Sequence, residues 1–268
     1  MYKWLTYFYI FINFTCIFCA NDEISHKKEE LTQILIEENV PFNSSDGKIK
    51  IPPHIKHIKL DIGLSYAAHY SQYWLTHEED LMVFGFEPNP AAISSILAGP
   101  IRYPNGLQKK FMGKSFFLIP CALGLSDDTT IKFYITKKDG GCSSIYMPNY
   151  LEVEKTIAVS IFRLSDFFDL FPFNLHPVID YIKIDAQGAD LDIAKSAGDY
   201  LKERVVYITL ESGNYHYKGT VNSEADIDSY MKSQGFVRHR SSDTLDPTYF
   251  NSRYTDYIKN NRITIYQK

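Results

Sequence analysis

Residues Tyr181–Lys202 read YIKIDAQGADLDIAKSAGDYLK. The apolar run Tyr181–Asp185 stops at a carboxylate, and Gly188 follows in the turn. A short run of this kind, bounded by a turn signal, fits a buried strand, and Ala189–Lys202 carries apolar residues at helical spacing. A strand that feeds a helix through a short acidic turn is the repeating unit of a parallel α/β sheet.

The same unit recurs outward along the chain. His57–Ile62 alternates Ile58, Leu60 and Ile62, and Tyr66–Glu79 is expected to follow it as a helix. Leu81–Phe86 (LMVFGF) ends at Glu87 and precedes a helix over Pro90–Leu97, with proline in the tolerated first turn. Ser115–Leu123, Thr130–Thr136, Thr156–Phe162 and Val205–Leu210 read as further strands. Ser223–Gly235 reads as a helix, opened by a capping box (Ser223 with Asp226) and closed by Gly235. Phe236–His239 and Arg262–Tyr266 are expected to close the chain as strands. The pattern predicts an α/β fold with a mostly parallel central sheet and helices on both faces. No repeat with a period of 20–50 residues is visible, which argues against solenoids and propellers.

The chain has 268 residues and a formal net charge of −4, with 45% apolar and 22% charged residues. This is the composition of a folded globular protein. A pI near 6.1 and the lack of any run of five like charges argue against nucleic acid as a partner, because phosphate contacts need clustered Lys and Arg.

Upstream, MYKWLTYFYIFINFTCIFCA places Lys3 before an apolar stretch from Trp4 to Ala20. Residues 1–20 therefore read as a secretory signal peptide, with an uncleaved signal anchor as the alternative. The first reading predicts a secreted or lumenal protein; the second predicts a membrane-anchored one. Residues 21–53 read as an N-terminal extension and linker, with a helix over Glu29–Val40, and residues 54–268 as the folded domain. Asn43-Ser44-Ser45 is a glycosylation sequon within that linker. Cys121 and Cys142 remain beyond the leader, either as one disulfide or as two separate thiols.

Ligands of an open parallel sheet bind beyond the carboxyl ends of its strands. Four such ends carry a carboxylate: Asp61, Glu87, Asp185 and Glu211. Glu87 lies 24 residues beyond Gly63, a spacing at which a carboxylate can accept from ribose hydroxyls. A dinucleotide site needs three glycines in G-x-G-x-x-G, and Ser65 stands where the second belongs. The residues thus favour a nucleoside without a pyrophosphate, of which S-adenosylmethionine is a common example. No histidine pair has metal-ligand spacing, so no metal is expected.

LDIGLSYAAHYS (60–71), GFEPNP (85–90), PCALGLSDDTTIKFY (120–134), GGCSSIY (140–146) and IDYIKIDAQGADLDIAKSA (179–197), in that order, resemble the FkbM-type methyltransferases. The resemblance covers roughly residues 55–212. It implies a class I, Rossmann-like fold, bound S-adenosylmethionine, and O-methylation of a hydroxyl on a sugar, another glycan or a small molecule. It places Asp61 and Gly63 in the first cofactor motif, with Ser65 of the same turn, and Glu87 and Asn89 on the ribose side. Ala122 of PCALG joins this cofactor-binding set, and Asp185 matches the acidic residue near the transferred methyl. The family pattern Asp-x-Gly-Ala-Asn-x-Gly is replaced here by Leu64, Ser65 and Ala67 at its last informative places.

Transfer to a hydroxyl needs a group that takes up its proton, and Asp185 and His216 are the candidates. Lys183 shares a strand face with Asp185 and is expected to pair with it. The competing reading is a secreted, catalytically inactive Rossmann-like binding module.

Overall fold

The computed structural model describes residues 26–101, 103–137, 140–213, 216–240 and 245–265. Ten strands are described: β1 (His57–Ile62), β2 (Leu81–Phe86), β3 (Phe116–Ile119), β4 (Ala122–Leu123), β5 (Thr130–Thr136), β6 (Val153–Phe162), β7 (Ile179–Ile184), β8 (Val205–Leu210), β9 (Phe236–Arg238) and β10 (Thr248–Asn251). The described helices are α1 (residues 26–37), α2 (His69–His77), α3 (Pro90–Ala98), α4 (Leu164–Phe168), α5 (Asp190–Ser196), α6 (Asp199–Arg204), α7 (Glu224–Ser233) and α8 (Thr255–Asn260).

Seven strands form the central sheet in the order β3-β2-β1-β7-β8-β10-β9. All pairs from β3 to β8 are parallel, and β10 alone runs against its two neighbours. The order reverses between β1 and β7, which opens a crevice at their carboxyl ends. Strand β2 shows why the sheet is covered on both faces. Met82, Phe84 and Phe86 enter one core with Leu60, Phe117 and Phe167, while Leu81 and Val83 enter a second with Trp74, Ile96 and Tyr181. Successive strand side chains point to opposite faces, so a strand buried on both sides must be apolar throughout.

Several elements differ from the sequence reading. The helix expected over Ala189–Lys202 is two helices, because Gly198 turns the chain at φ +58 between α5 and α6. The helix expected from Tyr66 begins only at His69, since Ser65 and Ala68 take positive φ in the preceding turn. Described residues 262–265 form no strand; the antiparallel strand lies at Thr248–Asn251 instead. The carbonyl of Thr264 accepts a hydrogen bond from the buried ammonium of Lys59 (2.7 Å) and serves no ladder.

The segment read as an extension and linker packs into the domain. Leu31, Leu35, Val40 and Ile49 are buried in the first core, and Ile49 N donates to Leu170 O (2.9 Å). Its helix spans residues 26–37, starting before Glu29 and ending before Val40. The capping box at Ser223 and Asp226 is present, and Gly235 lies just beyond α7 at φ +83. The strands expected over Thr130–Thr136 and Thr156–Phe162 pair antiparallel and, with β4, form a small sheet of order β4-β6-β5. Residues 1–25, with the leader reading, lie outside the described residues; no described helix is long and apolar enough to cross a membrane.

Candidate active site

The ends of β1, β2 and β7 are locked together by backbone bonds that run past the strands. Gly63 N donates to Phe86 O (3.0 Å), and Asp185 N donates to Ile62 O (2.9 Å). Gly63 holds φ +80, and a Cβ there would lie 1.9 Å from the carbonyl oxygen of Asp185. The turn after β1 therefore presses backbone against backbone, which only glycine allows.

A cavity of about 260 Å³ opens above this turn. Gly63, Ser65, Glu87, Ala122 and Asp185 line it, and Phe86, Leu123, Phe133 and Ile145 supply apolar wall. The Glu87 carboxylate accepts from Ser65 N (2.9 Å) and Asn89 N (2.9 Å), so it is fixed by the turns that follow β1 and β2. Burial pushes its pKa up to about 7, against the two backbone donors. A carboxylate has roughly four acceptor positions, so two remain for a ligand.

Asp185 stands at the floor. Lys183 Nζ lies 2.9 Å from its Oδ2, and Gln187 Nε2 donates to its Oδ1 (2.8 Å). Burial by itself raises the Asp185 carboxyl, but the Lys183 ammonium overrides this and holds it below the usual carboxylate range. Lys183 is buried and sits 4.5 Å from the Tyr70 ring centroid. Its own pKa is lowered by burial and raised more strongly by Asp185 and Asp61.

Gln187 joins the groups around it. Its φ is +55, unusual for a residue with a side chain. Its amide also donates to Glu211 Oε2 (2.6 Å), its Oε1 accepts from Tyr217 (2.7 Å), and its carbonyl accepts from Ser144 Oγ (2.7 Å). Burial, then the charges of Asp185 and Asp190, push Glu211 up, so it holds its proton where Asp185 is ionised. Two nearby carboxyls pushed apart in this way divide into an acid and a base.

The small sheet and the 3₁₀ turn Gly140–Cys142 roof the cavity. Tyr217 Oη lies 3.0 Å from Cys142 O, Tyr146 bonds Asp192, and a Cβ on Gly140 would meet Tyr66 Oη at 2.2 Å. Cys121 and Cys142 form no disulfide and both line the cavity. A second cavity, about 240 Å³, adjoins the first and shares Gln187 and Cys142 with it; Glu211, His216, Tyr217 and Leu245 also line it.

The family model described as the methyltransferase FkbM domain matches residues 65–238. The chain belongs to the FkbM methyltransferase family. Its fold is the class I, Rossmann-like arrangement that the family resemblance implies. Among solved structures, it is similar to a methyltransferase FkbM from Methylobacillus flagellatus KT, with 16% identity and a TM-score of 0.42. That likeness covers 79% of this chain and 47% of the other, so the chain spans about half the length of that relative. A precorrin-6y C5,15-methyltransferase from Geobacter metallireducens GS-15 is similar at 13% identity and a TM-score of 0.37, over 82% of this chain and 85% of that one. No curated protein matches the chain.

Within this FkbM domain the sequence-predicted residues fall into three groups. Gly63, Ser65, Glu87, Ala122 and Asp185 reach the first cavity. His216 is exposed and lines the second cavity, away from the first. Asp61, Asn89 and Lys183 line neither. The Asp61 carboxylate accepts from Ser71 N (3.1 Å) and Ser71 Oγ (2.6 Å) and is fully enclosed. Asn89 is the N-cap of α3, with its side chain accepting from Ala91 N (3.0 Å). The family resemblance places both in the cofactor set; in the structure each side chain is held by a nearby backbone N–H at the edge of the first cavity's turns. Ala67, where the family pattern has glycine, does not line the first cavity, so its methyl group takes no room there. Sequence reasoning gave no role to His69, which lines the first cavity, or to Gln187. The αL backbone at Gln187, just before Gly188, is legible only in three dimensions.

The buried carboxyls set a pH dependence. Glu87 and Asp190 both sit near 7 in the fold, chiefly through burial, whereas unfolded carboxyls ionise near 4. Between these values the folded FkbM domain holds more protons than the unfolded chain, so its stability falls as pH rises. Thermal midpoints of the ligand-free protein should therefore decline from about pH 5 to about pH 8. Midpoints that rise over that window would contradict the assignment.

Proposed function

We propose that the chain is an S-adenosylmethionine-dependent O-methyltransferase that acts on a hydroxyl acceptor in the secretory pathway. The observation that carries this reading is the Glu87 carboxylate, pinned by Ser65 N and Asn89 N at the wall of the first cavity. It retains acceptor positions for two ribose hydroxyls. Gly63, packed on the Asp185 carbonyl, lets the ends of β1 and β7 close together beneath the cavity that would take a nucleoside. The residues present thus fit the cofactor.

When bound, S-adenosylmethionine supplies a methyl group already activated by its sulfonium. The chain's own groups then have three tasks. Phe86, Leu123, Phe133 and Ile145 exclude water from the first cavity. Asp185, kept ionised by Lys183, accepts the proton of the acceptor hydroxyl. Gln187 holds Asp185 and Glu211 in a fixed relation, which favours one orientation of the acceptor. The secretory compartment is supported by the apolar stretch Trp4–Ala20 and by the sequon at Asn43.

Calorimetry tests the cofactor. Wild-type protein should bind S-adenosylmethionine, and Glu87→Ala should weaken it about 10–100-fold, the value of hydrogen bonds to a charged group. Equal affinity in the variant removes Glu87 from the site. Cofactor binding without methyl transfer to any hydroxyl compound would favour the inactive binding module.

A further inference from the structure

Between α3 and β3, the edge strand of the central sheet, the chain carries charge and apolar surface that the fold does not use. From residue 88 to residue 126 the sequence holds no Asp or Glu; its charged residues are Arg102, Lys109, Lys110 and Lys114, in a chain of net charge −4. Lys109, Lys110 and Lys114 are exposed and make no ion pair among the described residues, whereas Lys56, Lys137, Lys202 and Lys259 each face a carboxylate within 3.1 Å. The same stretch leaves large apolar side chains in solvent: Ile101 is 89% exposed, Leu97 50% and Tyr103 36%. The two sets sit together. A Cβ on Gly99, between Leu97 and Ile101, would lie 3.3 Å from the aliphatic stem of Lys109. Lys110 Nζ lies 4.7 Å from the centroid of the half-buried Phe111 ring, and Lys114 N donates to Phe111 O (3.2 Å). Leu107 N to Ala67 O (2.9 Å) and Gln108 N to Gln72 Oε1 (2.8 Å) fasten the loop to the turn after β1 and to α2. Exposed apolar side chains scattered singly need no explanation, but a group beside unpaired ammonium groups marks an interaction surface.

We propose that Leu97, Ile101, Tyr103, Lys109, Lys110 and Lys114 form a docking surface for a phospholipid bilayer that carries anionic headgroups. Ile101 and Leu97 enter the acyl boundary, and Tyr103 lies at headgroup level, where its ring is shielded and its hydroxyl stays wet. The lysines lay their stems along the interface and hold their ammonium groups at the phosphates. The apolar side chains decide against a soluble polyanion. Such a partner satisfies the lysines and leaves Ile101 in water, whereas a bilayer takes both. The surface adjoins the roof of the first cavity: the Tyr103 ring centroid lies 6.3 Å from that of Tyr66, which packs against Gly140. The proposal is independent of the methyltransferase reading and needs no bound cofactor.

Hydrogen exchange of the full chain, read peptide by peptide by mass spectrometry, tests this and separates the loop from any contribution of the apolar stretch Trp4–Ala20. With vesicles of phosphatidylcholine and phosphatidylserine, amides between Ile101 and Lys114 should exchange more slowly than in buffer. With phosphatidylcholine alone they should exchange as in buffer. Reversing the three lysines together (Lys109→Glu, Lys110→Glu, Lys114→Glu) should abolish the protection, since each lysine near an anionic surface is worth roughly fivefold in affinity. Ile101→Asp should abolish it too, with all three lysines in place. Both variants change exposed side chains only. The proposal is overturned if the loop exchanges equally with the two kinds of vesicle, or if either variant keeps the protection. It is also overturned if heparin, a soluble polyanion, protects the loop as well as the anionic vesicles do.

Discussion

Gly63→Ala is expected to destabilise the fold by about 2–5 kcal/mol, some 1–2 from forcing a side chain into left-handed backbone and 1–3 from overpacking. The added Cβ has nowhere to go: the Asp185 carbonyl oxygen would lie 1.9 Å away and its carbon 2.7 Å away, and both are backbone. Relief requires parting the ends of β1 and β7, which the bond from Asp185 N to Ile62 O holds. Urea titration should show the loss as a lower midpoint. Protein that remains folded should also lose nucleoside binding, because the same movement widens the floor of the first cavity. A midpoint within experimental error of wild type would show that the turn can yield, and that Gly63 is not fixed by this contact.

Lys183→Met should be comparably damaging for a different reason. Methionine nearly preserves the volume, so the effect isolates the charge. Without the ammonium, the buried Asp61 carboxyl and the half-buried Asp185 carboxylate lose the cation that both rely on. Breaking a buried ion pair from one side costs about 3–5 kcal/mol. The Asp185 carboxyl, held down by Lys183, should rise toward or above the ordinary range. Stability measured against pH distinguishes this from a packing defect. In the variant, a folded Asp185 pKa above the unfolded value adds to the decline already expected of wild type, so stability should fall more steeply with pH than wild type's, whereas a packing defect leaves the slope unchanged. Adding Asp185→Asn to Lys183→Met should restore part of the loss, since it removes one orphaned charge. A double variant no better than the single one would remove Asp185 from the account.

The sequence made the strand ends legible because a parallel sheet imposes a simple rule. Each buried strand is a continuous apolar run, and its carboxyl end opens on a turn whose residues are free to be polar. Glu87 and Asp185 followed from that rule and reach the cavity. Asp61 obeyed the same rule but sits one layer behind, where Ser71 caps its carboxylate. Periodicity does not report the direction in which a short side chain finds its partner. Strand β10 was missed because TYFN is four residues long and is defined by pairing with Tyr207–Thr209, some forty residues away. The alternating RITI stretch looked better locally, yet its Thr264 carbonyl is committed to Lys59. Residues 21–53 read as an extension and linker because prolines bracket a polar stretch there; only the folded chain brings Ile49 against Leu170. Gln187 was quoted within the motif without a role, because four hydrogen bonds to separate elements leave no trace in spacing.

The fastening of the roof ties the two cavities together. Tyr217 holds the roof at Cys142 and is also a wall of the second cavity. An occupant resting on Tyr217 keeps that side chain in place, and the roof with it. A displacement of that one side chain is therefore felt in both cavities at once.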